Sequence, residues 1–335
     1  MKIRIKSGDA TINLFNYENG CTININNQDN YYSKTPHLLD VSITNYCSNN
    51  CEYCYKESNI DGKHMSLSEY EIVLKNAIDC SVNQIALGGG NPNEHPHFIE
   101  ILKRTYENRI VVNYSTNGKG LTPEILKATK KYCGAIALSI HSNINNYCNV
   151  VNKILDFKIK LNLHIILSKS NIKNIIELLK NPPEWIKNIN AIIFLNYKHS
   201  NGNKDECFNN SSLIEKFFES VTNFKYTAIG FDTCSISFLV NYLNIPEEYA
   251  DYCESARFSA YISENLDVLP CSFYRAENCS NLKKESLINI WNNNKLFINH
   301  RNLLQKCTEC NDCKNFKLCH GGCPIFDINS NCKSN

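Results

Sequence analysis

The sequence predicts an α/β protein, in which a parallel sheet or barrel is covered by helices and is followed by a small cysteine-rich domain. Strand-like and helix-like segments alternate from residue 38 to residue 231, which is the pattern of repeated βα units. Polar and glycine-rich segments follow the predicted strands, and this is the end at which the sites of parallel barrels lie. Residues 245–335 are rich in turns and dense in cysteine.

The first predicted strand is Leu38–Thr44 (LLDVSIT), which runs directly into a loop with three cysteines. The helix after this loop is expected to begin at Ser66–Glu69 (SLSE), which has the form of a capping box and precedes apolar residues at helical spacing. A second helix is expected to begin at Thr122–Pro123, an N-cap followed by a proline at the first helical position. The remaining strands are expected at 84–87, 110–114, 135–140, 161–167, 191–195 and 226–231.

Composition and charge exclude several classes of protein. The chain has 335 residues, 43% of them hydrophobic, and a net charge of +2, so it has no charge excess that would favour nucleic acid or a membrane surface. The N-terminal segment MKIRIKSGDATINL alternates like a strand and lacks the apolar core of a secretory signal. No apolar run has the length of a bilayer-spanning helix. We expect a cytoplasmic protein.

Three parts are expected along the chain, because its length suits one large domain with a smaller one. The alternation of strands and helices stops near Ile245–Pro246, where we place a boundary. The expected parts are a strand or hairpin segment at 1–36, the βα region at 37–244 and a cysteine-rich domain at 245–335.

Eighteen cysteines are the unusual feature of the composition. Disulfide frameworks belong mainly to small secreted chains, whereas clustered cysteines in a cytosolic chain of this length favour metal binding. Cys47, Cys51 and Cys54 lie in the first loop with the spacing Cys-x3-Cys-x2-Cys. A structural zinc site needs four protein ligands. The loop is therefore part of a zinc site completed by a distant residue, or an iron site with an open coordination position.

This loop resembles the signature of the radical S-adenosylmethionine (SAM) enzymes, Cys-x3-Cys-x-aromatic-Cys, with Tyr53 as the aromatic residue beside the cofactor. The resemblance implies a partial (β/α)6 TIM-like barrel and a [4Fe–4S] cluster whose fourth iron is chelated by the amine and carboxylate of SAM. It also implies that reductive cleavage of SAM releases a 5′-deoxyadenosyl radical, which abstracts a hydrogen atom from the substrate.

Residues after the next strands match positions at which this family holds SAM. The segment Gly89–Pro92 (GGNP) stands where family members carry Gly-Gly-Glu-Pro, so Asn91 replaces the acid that holds the SAM amine. An amide oxygen still accepts a hydrogen bond from an ammonium group, without charge assistance. Asn117 and Ser139 match positions that family members use around the ribose and the carboxylate of SAM. The alternative for Ser139 is a structural role, in which its buried hydroxyl hydrogen-bonds to the backbone. His141 is the histidine candidate for the substrate pocket.

The C-terminal cysteines resemble the SPASM extension of radical SAM enzymes, whose tail holds two auxiliary [4Fe–4S] clusters. The segment LCHGGCP at 318–324 is close to the usual turn of that extension. A zinc-ribbon or rubredoxin-like tail is the alternative, but it leaves the upstream cysteines unused. Matching by position implies that the outer cluster is bound by Cys310, Cys313, Cys319 and Cys332. It implies that the inner cluster is bound by Cys253, Cys271 and Cys323. The candidates for the fourth inner ligand are Cys234 and Cys279, ahead of Cys307.

One position departs from the SPASM pattern, which usually has glycine five residues before the second cysteine. Leu266 stands at that position. We expect the turn to close through the neighbouring Asn265, because asparagine tolerates positive φ. The resemblance as a whole extends over residues 37–335.

The resemblance implies an oxidoreductase that modifies a peptide made by the ribosome. Relatives with two auxiliary clusters install thioether or carbon–carbon crosslinks or carry out other oxidations. A maturase of a folded protein, such as an anaerobic sulfatase, is the alternative among enzymes. An iron–sulfur electron-transfer or metal-binding protein without a substrate is the alternative outside them. The expected cofactors are three [4Fe–4S] clusters and SAM, and the expected partners are the precursor peptide and a reductant such as a flavodoxin or ferredoxin.

Recognition of the precursor is a separate question. Relatives often carry an N-terminal leader-recognition module, and residues 1–36 are too few for it. We expect either that a separate leader-binding protein presents the substrate, or that recognition is built into the barrel mouth and the tail.

Overall fold

The structure of the chain is a computed structural model. It describes residues 3–8, 11–18, 20–26, 32–49, 51, 54–141, 143–199, 204–207, 212–243, 245–246, 250–276, 278–305, 310 and 312–326. Within these ranges, no helix is both long enough and apolar enough to cross a membrane.

Strands alternate with helices as the sequence predicts. The strands are β1 Ile3–Gly8, β2 Thr11–Asn16, β3 Thr22–Asn26, β4 Leu38–Thr44, β5 Gln84–Gly89, β6 Val111–Thr116, β7 Cys133–Ile140, β8 Leu161–Leu167, β9 Ala191–Asn196, β10 Ala228–Phe231, β11 Ser259–Ile262, β12 Asp267–Leu269 and β13 Ser280–Asn281. The helices are α1 Leu67–Asp79, α2 Phe98–Glu107, α3 Pro123–Tyr132, α4 Cys148–Asp156, α5 Ile172–Lys180, α6 Ser212–Asn223, α7 Ile236–Tyr242, α8 Leu287–Asn293, α9 Lys295–Leu303 and α10 Phe316–Cys319.

The chain forms two compact units, one of Met1–Ile136 with Ser255–Ile298 and one of Ala137–Glu254 with Asn299–Asn335. In the first unit the strand order is β6-β5-β4-β11-β12-β13, and β4, β5, β6 and β11 pair in parallel. In the second unit β10, β9 and β8 pair in parallel. The predicted α/β class with a parallel sheet is confirmed.

Strand β4 has the predicted bounds and places its polar side chains on one face. Leu39, Val41 and Ile43 are at most 1% exposed on the other face. Asp40 and Ser42 alternate with them, and burial raises the pKa of the Asp40 carboxyl to about 6. A strand that is buried on both faces is typical of a parallel sheet covered by helices.

Both predicted helix starts are confirmed. The Ser66 hydroxyl accepts a hydrogen bond from the Glu69 N–H, and the Glu69 carboxylate accepts one from the Ser66 N–H, which completes the capping box of α1. The Thr122 hydroxyl caps α3 by accepting from the Ile125 N–H, with Pro123 in the first turn. These caps fix where the chain enters each helix after a strand-end loop.

The strand-like N-terminal segment forms an antiparallel sheet of β1, β2 and β3 in the first unit. Phe15 and Asn13 are buried on its inner face, and Asn13 accepts a hydrogen bond from the Asn83 amide at 3.1 Å. On the other face Ile5 is 67% exposed and Ile23 is 51% exposed. The segment is therefore attached to the first unit by one face.

The turn from β11 to β12 differs from the sequence prediction. Leu266, and not Asn265, takes the positive φ, at +70°. The Leu266 side chain is fully buried, and its backbone carbonyl accepts a hydrogen bond from the Leu282 N–H at 3.0 Å. The prediction for Asn265 is wrong because burial of the leucine side chain offsets the strain of a left-handed backbone.

Substitutions at Leu266 separate that strain from burial. Leu266→Ala loses a buried side chain, at about 2–5 kcal/mol, and keeps a Cβ at positive φ, whereas Leu266→Gly also removes strain of about 1–2 kcal/mol. We expect both variants to melt below the parent in anaerobic calorimetry, with Leu266→Gly above Leu266→Ala. Equal or reversed midpoints for the two variants would contradict a strained turn.

Candidate functional site

The loop after β4, residues 45–58, carries the three predicted cluster cysteines and is called the cysteine loop below. Cys47 is buried, and Cys51 and Cys54 are half-buried. The backbone fixes two of them, because the Cys47 N–H donates to the Asn59 carbonyl and the Cys54 N–H donates to the Cys51 carbonyl. Tyr53, the predicted aromatic neighbour of the cofactor, lies outside the described residues.

The three thiols lie near one another and each receives an N–H donor. Burial raises the pKa of the Cys51 thiol, the Cys47 and Cys54 thiols raise it further, and a hydrogen bond from Asn49 opposes them. The donor-to-sulfur distances are 3.0 Å from Asn49 Nδ2 to Cys51, 3.6 Å from Asn117 Nδ2 to Cys47 and 3.4 Å from Ser58 N to Cys54. Thiolates with N–H donors are the ligand set of iron–sulfur clusters, so these residues fit such a cluster.

The glycine loop, residues 88–92, packs its backbone directly on the cysteine loop. The Gly90 N–H donates to the Thr44 carbonyl at 2.8 Å, and the Asn91 N–H donates to the Tyr46 carbonyl at 2.9 Å. A Cβ at Gly89 would lie 2.0 Å from Thr44 O, and one at Gly90 would lie 2.0 Å from Tyr46 O. Gly89 also has φ +114°. Glycine is therefore required at both positions.

Asn91, the predicted acceptor for an ammonium group, lies within a network of internal hydrogen bonds. The side chain is fully buried, its oxygen accepts from the Asn117 N–H at 3.2 Å, and the Thr116 hydroxyl lies 3.1 Å from the same oxygen. Its amide nitrogen donates to Glu94 at 2.9 Å and to the Lys119 carbonyl at 3.2 Å. Both ends of the amide are occupied, so Asn91 joins the glycine loop to the end of β6.

Glu94 is the carboxylate that sequence reasoning missed. It lies three residues after Asn91, half-buried, and Oε2 accepts from the Asn91 amide and, at 3.4 Å, from the Ser48 N–H of the cysteine loop. A carboxylate thus lies three residues after Asn91 and accepts from the N–H of the residue that follows Cys47. A search for acidic residues within one turn of the glycine loop would have identified it.

A buried ion pair fastens the cysteine loop to the segment after β11 in the same unit. Lys56 Nζ lies 2.7 Å from Glu264 Oε2 and 2.7 Å from the Tyr261 hydroxyl, and it reaches the Ser42 hydroxyl at 3.2 Å. Burial works against ionisation of Glu264, but Lys56 holds the pKa of that carboxyl below its usual range. The partners are far apart in sequence, so no local pattern indicated the pair.

Ser139 and His141 lie at the end of β7 in the second unit. Ser139 is half-buried. The His141 N–H donates to the Tyr147 hydroxyl at 3.0 Å, and burial lowers the pKa of the His141 ring, which favours the neutral form. The proposed roles of both residues in ligand binding stay predictions.

The tail cysteines are divided between the two units. The second unit contains Cys234, Cys253 and Cys323. Cys234 donates an S–H hydrogen bond to Cys323, which holds the pKa of the Cys323 thiol below its usual range, and the Cys253 thiol opposes this effect. Cys271 and Cys279 belong to the first unit, and Cys279 donates to the Ala276 carbonyl at 3.1 Å. Three cysteines predicted for the inner cluster are thus close in one unit.

The outer cluster is only partly described. Cys310 is half-buried, Cys313 is exposed and Cys319 is buried. Cys332 and Cys307 lie outside the described residues. In the part of the chain that the structure covers, no three His, Cys, Asp or Glu side chains are grouped to hold a single metal ion.

Two protein families match the chain. The radical SAM superfamily matches residues 41–188, which include the cysteine loop, the glycine loop and Asn117. The SPASM family, an iron–sulfur cluster-binding domain, matches residues 253–314. The two matches fall on the two regions in which the cysteines are clustered.

Solved structures with the same fold cover most of the chain. SuiB of Streptococcus suis bound to the precursor peptide SuiA has a TM-score of 0.72 and 19% identity, covering 90% of this chain and 77% of that one. Native anSMEcpe with bound AdoMet and the Cp18Cys peptide has a TM-score of 0.66 and 16% identity, covering 89% and 94%. At these identities the likeness shows a shared fold.

Curated relatives match over shorter stretches. A probable GTP 3′,8-cyclase of Pyrococcus abyssi is 31% identical over 84 residues, which is 25% of this chain and 28% of the relative. A probable GTP 3′,8-cyclase of Methanocaldococcus jannaschii is 25% identical over 182 residues, which is 46% and 56%. The match thus spans between about a quarter and about half of the length of these relatives.

Asn91→Ala tests whether this amide is an internal link. The change removes the acceptor of the Asn117 N–H and one of the two donors to the Glu94 carboxylate, and a polar group left unpaired costs about 1–3 kcal/mol. We expect the thermal midpoint of ligand-free protein to fall by several degrees. The control is Asn108→Ala, at an exposed position, and its thermal midpoint should stay close to that of the parent. A midpoint equal to that of the control would show that the amide of Asn91 does not stabilise the loop.

Proposed function

We propose that the chain is a radical SAM enzyme with a SPASM domain and that it cleaves SAM reductively at the cysteine loop and takes hydrogen from a peptide substrate. The observation that carries this proposal is the group of three thiols held against the glycine loop at the ends of β4 and β5. When bound there, a [4Fe–4S] cluster and SAM supply a 5′-deoxyadenosyl radical that abstracts a hydrogen atom.

The residues of the first unit would share the binding of these groups. Cys47, Cys51 and Cys54 would hold the cluster, with N–H donors at each sulfur. At Gly88 the glycine loop leaves open space, because a Cβ there would have no atom within 4 Å. Glu94 takes over the contact predicted for Asn91, since its carboxylate provides charge for the SAM ammonium group. The Asn117 amide lies beside Cys47.

The peptide substrate is supported by the solved structures that share the fold. Both SuiB and anSMEcpe have been crystallised with peptides, and each likeness covers about nine tenths of this chain. A SPASM domain also suits an oxidation, because the auxiliary clusters accept the second electron when a substrate loses two hydrogens. A ribosomally made precursor peptide and an external reductant are the partners that this reaction needs.

A nucleotide substrate is the second candidate, since curated relatives include probable GTP 3′,8-cyclases. Their matches leave at least half of this chain uncovered, whereas the peptide-bound structures cover most of it. We therefore rank the peptide first. Anaerobic incubation with GTP is the control arm of the experiment below.

The experiment reconstitutes the chain with iron and sulfide under anaerobic conditions and adds dithionite and SAM. We expect about twelve irons per chain from three cubanes and formation of 5′-deoxyadenosine. A peptide encoded by a short open reading frame beside the gene should lose two hydrogen atoms or gain a crosslink, which mass spectrometry detects. Turnover of GTP with no change in peptide would overturn the peptide assignment.

Replacing Cys47, Cys51 and Cys54 together by alanine should remove about four of the twelve irons and all 5′-deoxyadenosine formation. The iron of the tail should remain, because its ligands are other cysteines. The control is Cys80→Ala, which removes a buried thiol at a helix end. This variant should keep the iron content of the parent and still form 5′-deoxyadenosine. Zinc without iron in the intact protein, or 5′-deoxyadenosine from the triple variant, would contradict the proposal.

Glu94→Gln tests which residue binds the SAM ammonium group. The change removes a charged hydrogen-bond partner worth about 1.5–3 kcal/mol, so we expect SAM to bind about tenfold more weakly or worse. Glu107→Gln, which changes an exposed acid at the end of α2, is the matched control. Isothermal titration of SAM into reconstituted protein measures the dissociation constant of each variant. If Glu94→Gln binds SAM as the parent does, the ammonium group is held by another residue.

A further inference from the structure

Asp40 is a carboxylic acid inside the first unit that the proposed site for SAM does not use. It lies on β4 on the same face as Ser42, opposite the buried Leu39 and Val41. The side chain is half-buried, and among the described residues its carboxyl group has no hydrogen bond and no ion pair. Burial is what raises its pKa to about 6. Removing an ionised carboxylate from water without a partner is costly, so Asp40 needs an explanation other than fold stability.

The neighbouring strand β5 leaves space beside this carboxyl group. Strands β4 and β5 pair in parallel, with Asp40 beside Ala86 and Ser42 beside Gly88. Residues that are paired in this way point to the same face of the sheet. Ala86 has a small side chain, and a Cβ at Gly88 would have no atom within 4 Å. These four residues therefore line a hollow on the inner face of the sheet, which is called the inner hollow below.

Two tyrosines lie near Asp40. Tyr261 of β11 is paired with Asp40 in the parallel register on the other side of β4, and its side chain is 5% exposed. Tyr55 of the cysteine loop is half-buried and stacks on Phe273, with ring centroids 4.3 Å apart. Burial raises the pKa of both tyrosine hydroxyls, and the nearby Asp40 carboxylate raises them further. Aromatic rings beside a carboxylate favour a bound ammonium or guanidinium group.

Two basic side chains of this region have other partners. Lys56 Nζ lies 2.7 Å from Glu264 Oε2, and this ion pair is neutral as a whole. The exposed Arg275 guanidinium donates to the backbone carbonyls of Ser272 and Tyr55. Among the described residues around the inner hollow, the ionised Asp40 carboxylate thus has no counter-ion.

We propose that the inner hollow binds a cationic side chain of the peptide substrate, an ammonium or a guanidinium group, with Asp40 as its counter-ion. The inference rests on the proposed function, because it takes a peptide as the substrate. SAM is also a cation, but Asp40 is the third residue of β4, whereas the cysteine loop begins after the last residue, Thr44. Four residues of a strand span about 13 Å. We therefore assign the inner hollow to the substrate, and Asp40 determines specificity for a lysine or an arginine.

The test measures how the reconstituted, SAM-loaded protein binds a fluorescein-labelled copy of the peptide encoded beside the gene, by fluorescence anisotropy. Asp40→Asn keeps the shape of the side chain and removes its charge, so we expect the dissociation constant for the peptide to rise about tenfold or more. One lysine or arginine of the peptide should account for this loss. When that residue is replaced by methionine, the parent and Asp40→Asn should bind the peptide equally. The control is Asp79→Asn, at the exposed end of α1, which should bind like the parent.

Two further measurements distinguish substrate binding from a structural role and from a contact with SAM. The thermal midpoint of peptide-free Asp40→Asn should equal or exceed that of the parent, because the change removes a buried charge without a partner. The affinity for SAM, measured by isothermal titration, should stay the same.

Unchanged peptide binding in Asp40→Asn would overturn the proposal, and so would a lower thermal midpoint, weaker SAM binding, or a peptide without lysine or arginine. A parent protein that forms 5′-deoxyadenosine but neither binds nor modifies the peptide would instead contradict the proposed function.

Discussion

The backbone contact between the glycine loop and the cysteine loop is the constraint on which the candidate site depends. Gly89 and Gly90 approach the Thr44 and Tyr46 carbonyls so closely that no Cβ fits at either position. This contact fixes the path of the chain just before Cys47 and uses main-chain hydrogen bonds that no side-chain change removes. Parallel pairing of β4 with β5 brings the two loops to the same edge of the sheet.

Each of the two units contains a buried ion pair near a cysteine. In the first unit Lys56 and Glu264 pair beneath the cysteine loop, and in the second unit Lys198 and Asp232 pair beside Cys234. Buried ion pairs contribute little to fold stability, because desolvation offsets much of their attraction. Each pair instead joins a segment that carries a cysteine to the end of a neighbouring strand.

Local features of the site could be predicted from sequence, and long-range ones could not. The bounds of β4 and the capping box at Ser66 depend on neighbouring residues, so the pattern of the sequence was sufficient. The role of Asn91 depends on Thr116 and Asn117 at the end of another strand, which occupy the oxygen that a ligand would need. At Leu266 the burial of one side chain outweighs a backbone preference, and burial is set by the whole fold.

The proposed open iron position at the cysteine loop can be tested directly by electron–nuclear double resonance on the reduced, reconstituted protein with SAM labelled with ¹⁵N at its amine. Three thiolate ligands leave one iron free for that amine, so we predict a nitrogen hyperfine coupling to a reduced cluster. The coupling should disappear in Cys51→Ala. Bound SAM without any nitrogen coupling would contradict an open coordination position at this loop.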